Sequence, residues 1–334
     1  MSNNTVFFEV QDWETPLLEK EFHDANLISD KLSPDNVETY KDAQIVSCFV
    51  YSDLSAEILS KLPNLKFIAT RSTGFDHIDL EYCKAHNIAV SNVPEYGSNT
   101  VAEHTFALIL SLTRKIYQSV SQAKQLNFDH SQIRGSDVYK KTLGIVGLGK
   151  IGLNVLRIAK GFGMRVLVST RTHDEKIATD LGFEFADMDT LIKTADIISL
   201  HLPLNPETKH IIGKEEILKM KKGVFLINTA RGGLVDTEGV IEGLGRGILG
   251  GVALDVLEEE KELSEEAAIL TPRFRKEADM ETLVMNHYLI NHPKVLITPH
   301  NAFNSIEALH RIEDTTIENI RAYEKSSPIN IVSK

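Results

Sequence analysis

The amino-acid sequence predicts an α/β protein with two doubly wound parallel-sheet domains, and three observations support that prediction. Short apolar, β-rich segments alternate with amphipathic segments along the chain, which is typical of parallel strands joined by crossover helices. The length of 334 residues suits two domains better than one. A glycine-rich loop, Gly147–Gly152, lies between a predicted strand and a predicted helix, where a doubly wound sheet turns at its carboxyl edge.

Composition and charge narrow the functional class. The chain has 36 Lys+Arg against 47 Asp+Glu, and its net charge of −11 repels phosphate backbones and anionic membranes. We therefore expect no nucleic-acid partner and no membrane association. Cys48 and Cys83 are too few for a disulfide framework and form no zinc pattern, and the N-terminal residues lack the features of a signal peptide. The expectation is a soluble cytoplasmic protein with no bound metal.

Hydrophobic periodicity places the elements. Four strands are expected before residue 100 and seven after Gly135. They are Val6–Val10, Ile45–Val50, Leu65–Thr70, Ile88–Val93, Thr142–Val146, Arg165–Ser169, Phe183–Phe185, Asp196–Leu200, Val224–Asn228, Gly251–Asp255 and Val295–Thr298. Asn99–Ser119 is predicted to form one long helix, and Ser305–Glu324 another. The last helix could return to the first domain and make that domain discontinuous.

The glycine loop predicts dinucleotide binding. Gly147, Gly149 and Gly152 satisfy the pattern GxGxxG, which follows the strand ending at Val146 and opens a helix. The first glycine permits the tight turn, the second lets backbone approach a pyrophosphate, and the third allows close packing of helix and strand. The helix N-terminus attracts the phosphate charge. The alternative is a glycine-rich structural turn without a ligand.

The end of the next strand suggests which dinucleotide is bound. NAD-specific sites carry an acid about 20 residues after the loop, and here Ser169, Thr170 and Arg171 occupy that region instead. A hydroxyl and a guanidinium suit a 2′-phosphate, so we predict NAD(P) binding with a preference for NADP. In the alternative, Arg171 is a solvated loop charge and Asp174 contacts the ribose.

Reactive side chains follow three other strands of the second half. Arg231, Asp255 and His300 lie at predicted carboxyl ends, with Glu260 close behind Asp255. Arg231 would bind a substrate carboxylate, His300 would donate a proton to a carbonyl, and Glu260 would raise the pKa of that histidine. Asp255 could orient the nicotinamide ribose. Taken singly, Arg231 could cap a helix, Glu260 could belong to a solvated acidic face, and His300 could be a core histidine.

Several motifs in order resemble the D-isomer-specific 2-hydroxyacid dehydrogenase family over nearly the whole chain, most closely its D-lactate dehydrogenase branch. The resemblance rests on these segments: Asn92–Tyr96, Val101–His104, Gly147–Gly152, Leu200–Pro203, Asn228–Asp236, Ala253–Glu260 and Thr298–His300. It implies a Rossmann NAD(P)-binding domain of residues 100–302 and a discontinuous flavodoxin-like substrate domain of residues 1–99 plus 303–334. It also implies a cleft between them and a homodimer.

The resemblance further implies roles for individual residues. The catalytic set is Arg231, Glu260 and His300. Substrate lies against the backbone of Ser72, Thr73 and Gly74 and near Tyr96, and Arg71 is expected among the cations of the cleft. Cofactor contacts are implied at Lys150, Ile151, Leu202, Pro203, Thr208, Thr229, Ala230, Arg231 and Asp255.

The chain departs from the lactate branch at two places, and it carries an extra stretch of a kind that some D-lactate dehydrogenases contain. Thr170 replaces an aspartate, and Asn301–Asn304 keeps one aromatic ring, Phe303, of a usual pair. An extra stretch of about 263–292 has apolar positions that fit a helical flap. The activity that the resemblance implies is D-specific reduction of a small 2-keto acid such as pyruvate. A glyoxylate or hydroxypyruvate reductase is the main alternative. Phosphite or formate oxidation and a dinucleotide-sensing corepressor rank lower.

Overall fold

The computed structural model describes residues 4–258 and 280–333, and all structural statements concern these residues. Their strands are β1 Thr5–Phe7, β2 Asn26–Leu27, β3 Ile45–Cys48, β4 Phe67–Thr70, β5 Ala89–Ser91, β6 Thr142–Val146, β7 Arg165–Ser169, β8 Glu184–Phe185, β9 Ile197–Leu200, β10 Val224–Asn228, β11 Leu249–Leu254 and β12 Val295–Ile297. Their α-helices are α1 Thr15–Glu21, α2 Ala56–Leu59, α3 Leu80–Ala85, α4 Ser98–Thr113, α5 Ile116–Lys124, α6 Lys150–Gly161, α7 Glu175–Leu181, α8 Met188–Thr194, α9 Lys214–Lys219, α10 Thr237–Gly245, α11 Met280–Ile290 and α12 Ile306–Glu324.

The chain divides into two compact units. The first comprises Met1–Gly97 with Ser305–Lys334, and the second is the continuous stretch Ser98–Asn304. Each unit contains one wholly parallel sheet, as the alternation of strands and helices predicted. The fold class is therefore confirmed.

The first unit has the strand order β2-β1-β3-β4-β5, which is the flavodoxin-like order. Strand residues alternate between two apolar cores, as in a sheet covered on both faces. Val46 and Cys48 face one core, whereas Ile45 faces the other, together with Ile320 of α12. Helix α12 thus belongs to the first unit although it is the last element of the chain.

The second unit has the strand order β12-β11-β10-β9-β6-β7-β8. Counted within this unit, that is the Rossmann order with a seventh strand added beyond the sixth. After β6, the next strands β7 and β8 lie on one side of it, whereas β9 and the later strands lie on the other side. The topological switch point is therefore between β6 and β9, directly beside the glycine loop. Ligands of open α/β sheets bind at such a point, outside the carboxyl ends of the strands.

Two sequence predictions about elements were wrong. The strand β2 was missed, because a two-residue edge strand carries no periodicity. The predicted helix Asn99–Ser119 is interrupted at Lys115, whose φ of 52° lies in the left-handed region and ends α4. The chain then starts α5, none of whose residues is buried.

The predicted insertion at 263–292 is described only from Met280 onward. Within it, Met280–Ile290 forms α11, in which Leu283 and Leu289 are buried, Leu289 within the core of the second unit. Of the apolar positions that suggested a flap, Ile269 lies outside the described residues.

Candidate functional site

The carboxyl edge of the seven-stranded sheet collects most of the sequence-predicted residues. Every strand there is parallel, so the segments that follow β6, β7, β9, β10, β11 and β12 leave the sheet on the same side. The glycine loop follows β6 at the centre of this edge. We call these segments the carboxyl-edge site and describe each in turn.

The three glycines of the loop have three different environments. At Gly147, φ is +96°, and an added Cβ would lie 2.5 Å from the carbonyl oxygen of His201. At Gly152, an added Cβ would lie 2.2 Å from the carbonyl oxygen of Gly147. At Gly149, nothing lies within 4 Å of the Cβ position. Of the three glycines, Gly149 is therefore the one with open space beside it, and it lies at the N-terminus of α6, which begins with Lys150 and Ile151. A helix N-terminus suits a phosphate group.

The end of β7 presents hydroxyl and guanidinium groups. Thr170 follows the strand, and the exposed Arg171 donates from Nη1 to a carboxylate oxygen of Glu207 at 3.2 Å. The alternative residue Asp174 caps α7 instead, accepting hydrogen bonds from the backbone N–H groups of Lys176 and Ile177. Asp174 is thus engaged by the N-terminus of its own helix.

The loop after β9 is held by one hydroxyl. Thr208 is buried, its Oγ1 donates to the carbonyl oxygen of Pro203 at 2.7 Å, and it accepts the N–H of Asn205 at 2.8 Å. Leu202 lies against Gly147, where an added Cβ would be 2.8 Å from its Cδ2. Desolvation lowers the pKa of His201, which precedes Leu202, to about 3, so this imidazole is neutral.

The segment after β10 positions Arg231. Asn228 accepts the N–H of Ala230 through its side-chain oxygen and donates to the carbonyl oxygen of Arg231 at 2.8 Å. Thr229 is buried against the hydroxyl of Thr105, with 2.9 Å between the two oxygens. The Arg231 side chain makes no helix-capping hydrogen bond, so the capping alternative does not hold.

Asp255 is linked by hydrogen bonds to the segment that follows β12. The Asp255 side chain is 1% exposed and accepts from Thr298 Oγ1 at 2.5 Å, Asn301 N at 2.8 Å and Ala302 N at 2.9 Å. Burial opposes ionisation, but the hydrogen bonds from His104, Thr298 and the two backbone N–H groups lower the pKa of Asp255 below its ordinary value. His300 is half-buried and has a left-handed φ of 49°. It is therefore not a core histidine.

Glu260, the third residue of the predicted catalytic set, lies outside the described residues. Glu258, two residues before it, does not belong to a solvated face. Its carboxylate forms hydrogen bonds with His210 at 2.6 Å and with the Thr237 hydroxyl at 2.7 Å. Asn286 of α11 also donates to the Glu258 carbonyl oxygen at 2.7 Å. Glu258 thus connects the segment after β11 to His210, to the start of α10 and to α11, contacts that the run of acidic residues did not reveal.

In the first unit, the predicted substrate loop follows β4. Ser72 Oγ donates to Gly74 O at 2.6 Å, and Thr73 Oγ1 donates to Val93 O at 2.7 Å. The side chains are thus tied back, and the N–H groups of Thr73 and Gly74 donate no hydrogen bond to any residue between 4 and 258 or 280 and 333. Tyr96 is half-buried, and its carbonyl oxygen accepts Nε of Arg311 at 2.6 Å.

Arg71 does not contribute a cation to a ligand site. It is 2% exposed, and its Nη2 donates to the carbonyl oxygens of Phe8 and Glu9, each at 2.8 Å. Its Nε lies 3.2 Å from a carboxylate oxygen of Glu14. The expectation was wrong because a guanidinium that is fully engaged inside the first unit cannot also meet a substrate.

Sequence reasoning missed the side chain that reaches Asp255 from α4. His104 Nε2 lies 3.4 Å from Asp255 Oδ1 and 3.2 Å from Thr298 Oγ1. The available signal was the segment Val101–His104, which entered the resemblance as a motif without a role. Only the packing of α4 against β11 and β12 reveals the contact.

Comparison with known proteins identifies the family. Residues 106–302 match the family described as D-isomer specific 2-hydroxyacid dehydrogenase, NAD binding domain. A 2-hydroxyacid dehydrogenase homolog of Zymomonas mobilis is 38% identical over 324 residues, covering 94% of this chain and 95% of that protein. This chain belongs to the D-isomer specific 2-hydroxyacid dehydrogenase family. The expected enzyme class, an oxidoreductase with an NAD-binding domain, is thereby confirmed.

Other members of the family cover the chain almost completely. The D-lactate dehydrogenase of Escherichia coli is 36% identical over 296 residues, covering 88% of this chain and 87% of that protein. The structure of an Aquifex aeolicus D-lactate dehydrogenase complexed with NAD and lactic acid is 36% identical, with a TM-score of 0.88 and 99% coverage of both chains. Within the described part of this chain, no helix combines the length and apolar character that crossing a membrane requires.

Proposed function

We propose that this dehydrogenase reduces a small 2-keto acid to the D-2-hydroxy acid, with Arg231, His300 and Glu260 as its catalytic set. The observation that carries the proposal is the shared edge: Arg231 follows β10 and His300 follows β12, on the side of the sheet where Gly149 leaves room for a dinucleotide. A cation for a carboxylate, a proton donor and a hydride carrier are the groups that this reduction needs.

In the proposed mechanism, a nicotinamide dinucleotide held at this edge would supply the hydride. Arg231 binds the substrate carboxylate through its planar guanidinium, which orients the keto group. His300 gives a proton to the carbonyl oxygen as negative charge develops there, and in the reverse direction it removes that proton. Glu260 would support the protonated imidazole. Asp255 would reach the nicotinamide side of the cofactor.

Substrate is further proposed to meet the loop after β4. The backbone N–H groups of Thr73 and Gly74 are directed at no described acceptor, which leaves them available to a carboxylate or carbonyl oxygen. Ser72, in contrast, is 3% exposed and acts through its hydroxyl, which fixes the loop by bonding Gly74 O. Tyr96 is the proposed side-chain contact from this unit.

We also propose that the cofactor is NADP rather than NAD. Position 170 carries a threonine instead of an acidic residue, and Arg171 follows it directly after β7. The Glu207 carboxylate on Arg171 is exposed, as is the guanidinium, so a 2′-phosphate could replace it at small cost. The proposed cofactor contacts also include Leu202, Pro203, Thr208, Thr229 and Ala230.

One set of assays tests these proposals. The purified protein is mixed with NADPH or NADH and with pyruvate, glyoxylate, hydroxypyruvate or phenylpyruvate, and the absorbance of the reduced nicotinamide is followed. We expect turnover with NADPH and at least one small 2-keto acid, and D-specific product by chiral chromatography. No turnover with any keto acid would favour a dinucleotide-sensing binding protein, and faster turnover with NADH would contradict the role of Arg171.

The preferred keto acid is proposed to be pyruvate-like, with glyoxylate or hydroxypyruvate as the alternative. The solved relative from Aquifex aeolicus holds lactic acid, the reduced form of pyruvate. Beside His300 this chain places Phe303, with ring centroids 6.5 Å apart. An apolar ring suits a methyl group better than a hydroxymethyl group, so the ratio of kcat/KM for pyruvate and hydroxypyruvate decides between the two.

We further propose a cytoplasmic homodimer. Helix α5 and the segment after it expose the apolar side chains of Ile116, Tyr117, Val120, Leu126 and Phe128, and exposed groups of this size mark protein interfaces. Cys48 and Cys83 are both free and buried, and burial raises the pKa of both thiols, that of Cys83 to about 11. Unpaired thiols fit a reducing compartment.

A further inference from the structure

His104 contacts Asp255 and Thr298, although it lies on helix α4 and not on a segment that follows a strand of the sheet. Its Nε2 is 3.4 Å from Asp255 Oδ1 and 3.2 Å from Thr298 Oγ1, and its side chain is 19% exposed, against 1% for Asp255. The only hydroxyl proton of Thr298 is engaged in the 2.5 Å hydrogen bond to Asp255 Oδ1. Thr298 must therefore accept from His104, which places a proton on Nε2 and makes this nitrogen the donor to both oxygens.

The same Asp255 accepts hydrogen bonds from the backbone N–H groups of His300 and of the two residues that follow it. The His300 N–H donates to the Asp255 carbonyl oxygen at 2.8 Å, and the next two N–H groups, of Asn301 and Ala302, donate to its carboxylate. His300 itself has φ of 49°, a conformation that costs free energy in a residue with a side chain and persists only where its surroundings enforce it. Asp255 provides that enforcement.

We propose that His104 is a positioning residue, which through Asp255 holds the His300 backbone in the conformation that aims the imidazole at substrate. With its N–H it fixes the rotamer of a buried carboxylate whose other donors, among residues 4–258 and 280–333, are one hydroxyl and two backbone N–H groups of the segment 298–302. Without His104, all described donors to the carboxylate come from that segment, so carboxylate and loop can move together. This inference rests on the proposed role of His300 as proton donor.

The test compares two substitutions of His104. His104→Phe removes the donor, and we expect kcat to fall about 10- to 100-fold, because small misplacements of a catalytic group have effects of that size. The KM for the keto acid should stay within about twofold of wild type, since Arg231 is untouched. His104→Gln retains an N–H donor and should recover most of kcat. Thr298→Val against Thr298→Ser repeats the comparison if His104→Phe fails to fold.

Thr113→Val on the same helix is the matched control. Thr113 is 3% exposed, and its hydroxyl bonds only to carbonyl oxygens of α4, those of Ile109 and Leu110. A variant here disturbs α4 without touching Asp255, so kcat should remain at the wild-type value. An equal loss of kcat in Thr113→Val and His104→Phe would overturn the proposal, as would a rise in KM with kcat unchanged.

Amide hydrogen exchange separates this inference from the proposed function. The N–H groups of residues 300–302 all donate to Asp255, and we expect His104→Phe, but not Thr113→Val, to accelerate their exchange. Unchanged exchange overturns the positioning role whether or not the enzyme turns over. Faster exchange in a protein that reduces no keto acid would support the positioning of the loop and reject the proposed reaction.

Discussion

The Arg71 guanidinium, which was expected among the cations of the cleft, is buried inside the first unit instead. Its donors meet the carbonyl oxygens of Phe8 and Glu9 and the carboxylate of Glu14. Arginine binds a substrate carboxylate and a buried carboxylate by the same geometry. Local sequence cannot separate the two uses, because the partners of Arg71 come from a distant segment of the chain, near its N-terminus.

The buried carboxyl group of Glu313, which lies near Arg71, should make the free energy of unfolding depend on pH. It is 2% exposed, and its Oε1 has no hydrogen-bond partner in the part of the chain that the structure describes. Burial, Glu14 and Asp314 raise its pKa from 4.5 to about 7, with Arg71 opposing the rise, and His310 lies 3.8 Å away. The folded protein thus keeps a proton that the unfolded chain releases, and the free energy of unfolding falls as pH rises from about 4.5 to 7.

Glu313→Gln should remove that loss, because the amide is neutral at every pH. Urea unfolding, followed by circular dichroism on either side of the pKa of Glu313, should show the variant gaining stability over wild type at the higher pH. Glu318→Gln, an exposed change on the same helix, serves as the control. Parallel stabilities of wild type and Glu313→Gln at both pH values would show that the carboxylate is ionised without cost.

Arg231→Lys tests the planar contact with substrate. Lysine keeps the charge but loses one of two parallel hydrogen bonds, and a bond to a charged group contributes about 1.5 to 3 kcal/mol. We expect kcat/KM for the keto acid to fall about 10- to 100-fold, with a higher KM and a lower kcat in steady-state assays. The dissociation constant of NADPH, measured by fluorescence quenching, should change little. Unaltered keto-acid kinetics would exclude Arg231 from carboxylate binding.

At the scale of elements, the glycine loop allows a paired prediction. Gly152→Ala places a Cβ 2.2 Å from the Gly147 carbonyl oxygen, so α6 must shift away from β6 and the melting temperature should fall. Gly149→Ala places a Cβ in open space, so stability should change little while the dissociation constant of NADPH rises about 10-fold. Differential scanning calorimetry and fluorescence titration separate the two effects. Native cofactor affinity in Gly149→Ala would contradict the binding of a pyrophosphate at this loop.

The strands were the most predictable elements, and the reason is burial on both faces. In β6, β7 and β10 the sequence predicted the observed bounds, because apolar runs end where the backbone leaves the covered sheet. The break between α4 and α5 could not be predicted, since Lys115 adopts its left-handed φ without glycine or proline nearby. Tertiary packing, which no local pattern reports, decides that conformation.

The candidate site was predictable to the extent that it depends on topology. Arg231, Asp255 and His300 follow neighbouring strands of a parallel sheet, so the alternation of elements was enough to place them at one edge. His104 could not be found in this way, because a helix side chain reaches Asp255 only once α4 is packed. The contacts of Glu258 could not be found for a similar reason, because its partner His210 is 48 residues away.

The whole molecule should be a dimer in solution, and α5 supplies the test. Size-exclusion chromatography with light scattering should give about twice the chain mass of 37.3 kDa. Val120→Asp, which puts a charge on the exposed apolar face, should shift the mass toward the monomer without lowering the melting temperature of the chain itself. Ser121→Asp, on the same helix and outside this apolar set, is the control. A monomeric wild-type protein would contradict the proposal that this apolar face contacts a second copy of the chain.

Helix α12 gives the chain an order of synthesis that differs from its order of assembly. The ring of Tyr323 stacks on Phe67 at 4.3 Å, and Ile320 fills the core beneath β1, β3 and β4. On the ribosome, the segment Met1–Gly97 emerges without this helix and must wait for it. At about 5 to 20 residues per second the wait is roughly 10 to 50 s. The continuous unit Ser98–Asn304 has all of its own sheet before then. Until then the sheet face beneath Ile320 is covered only in part, by Leu18 of α1 among others, so we expect exposed apolar surface there during synthesis.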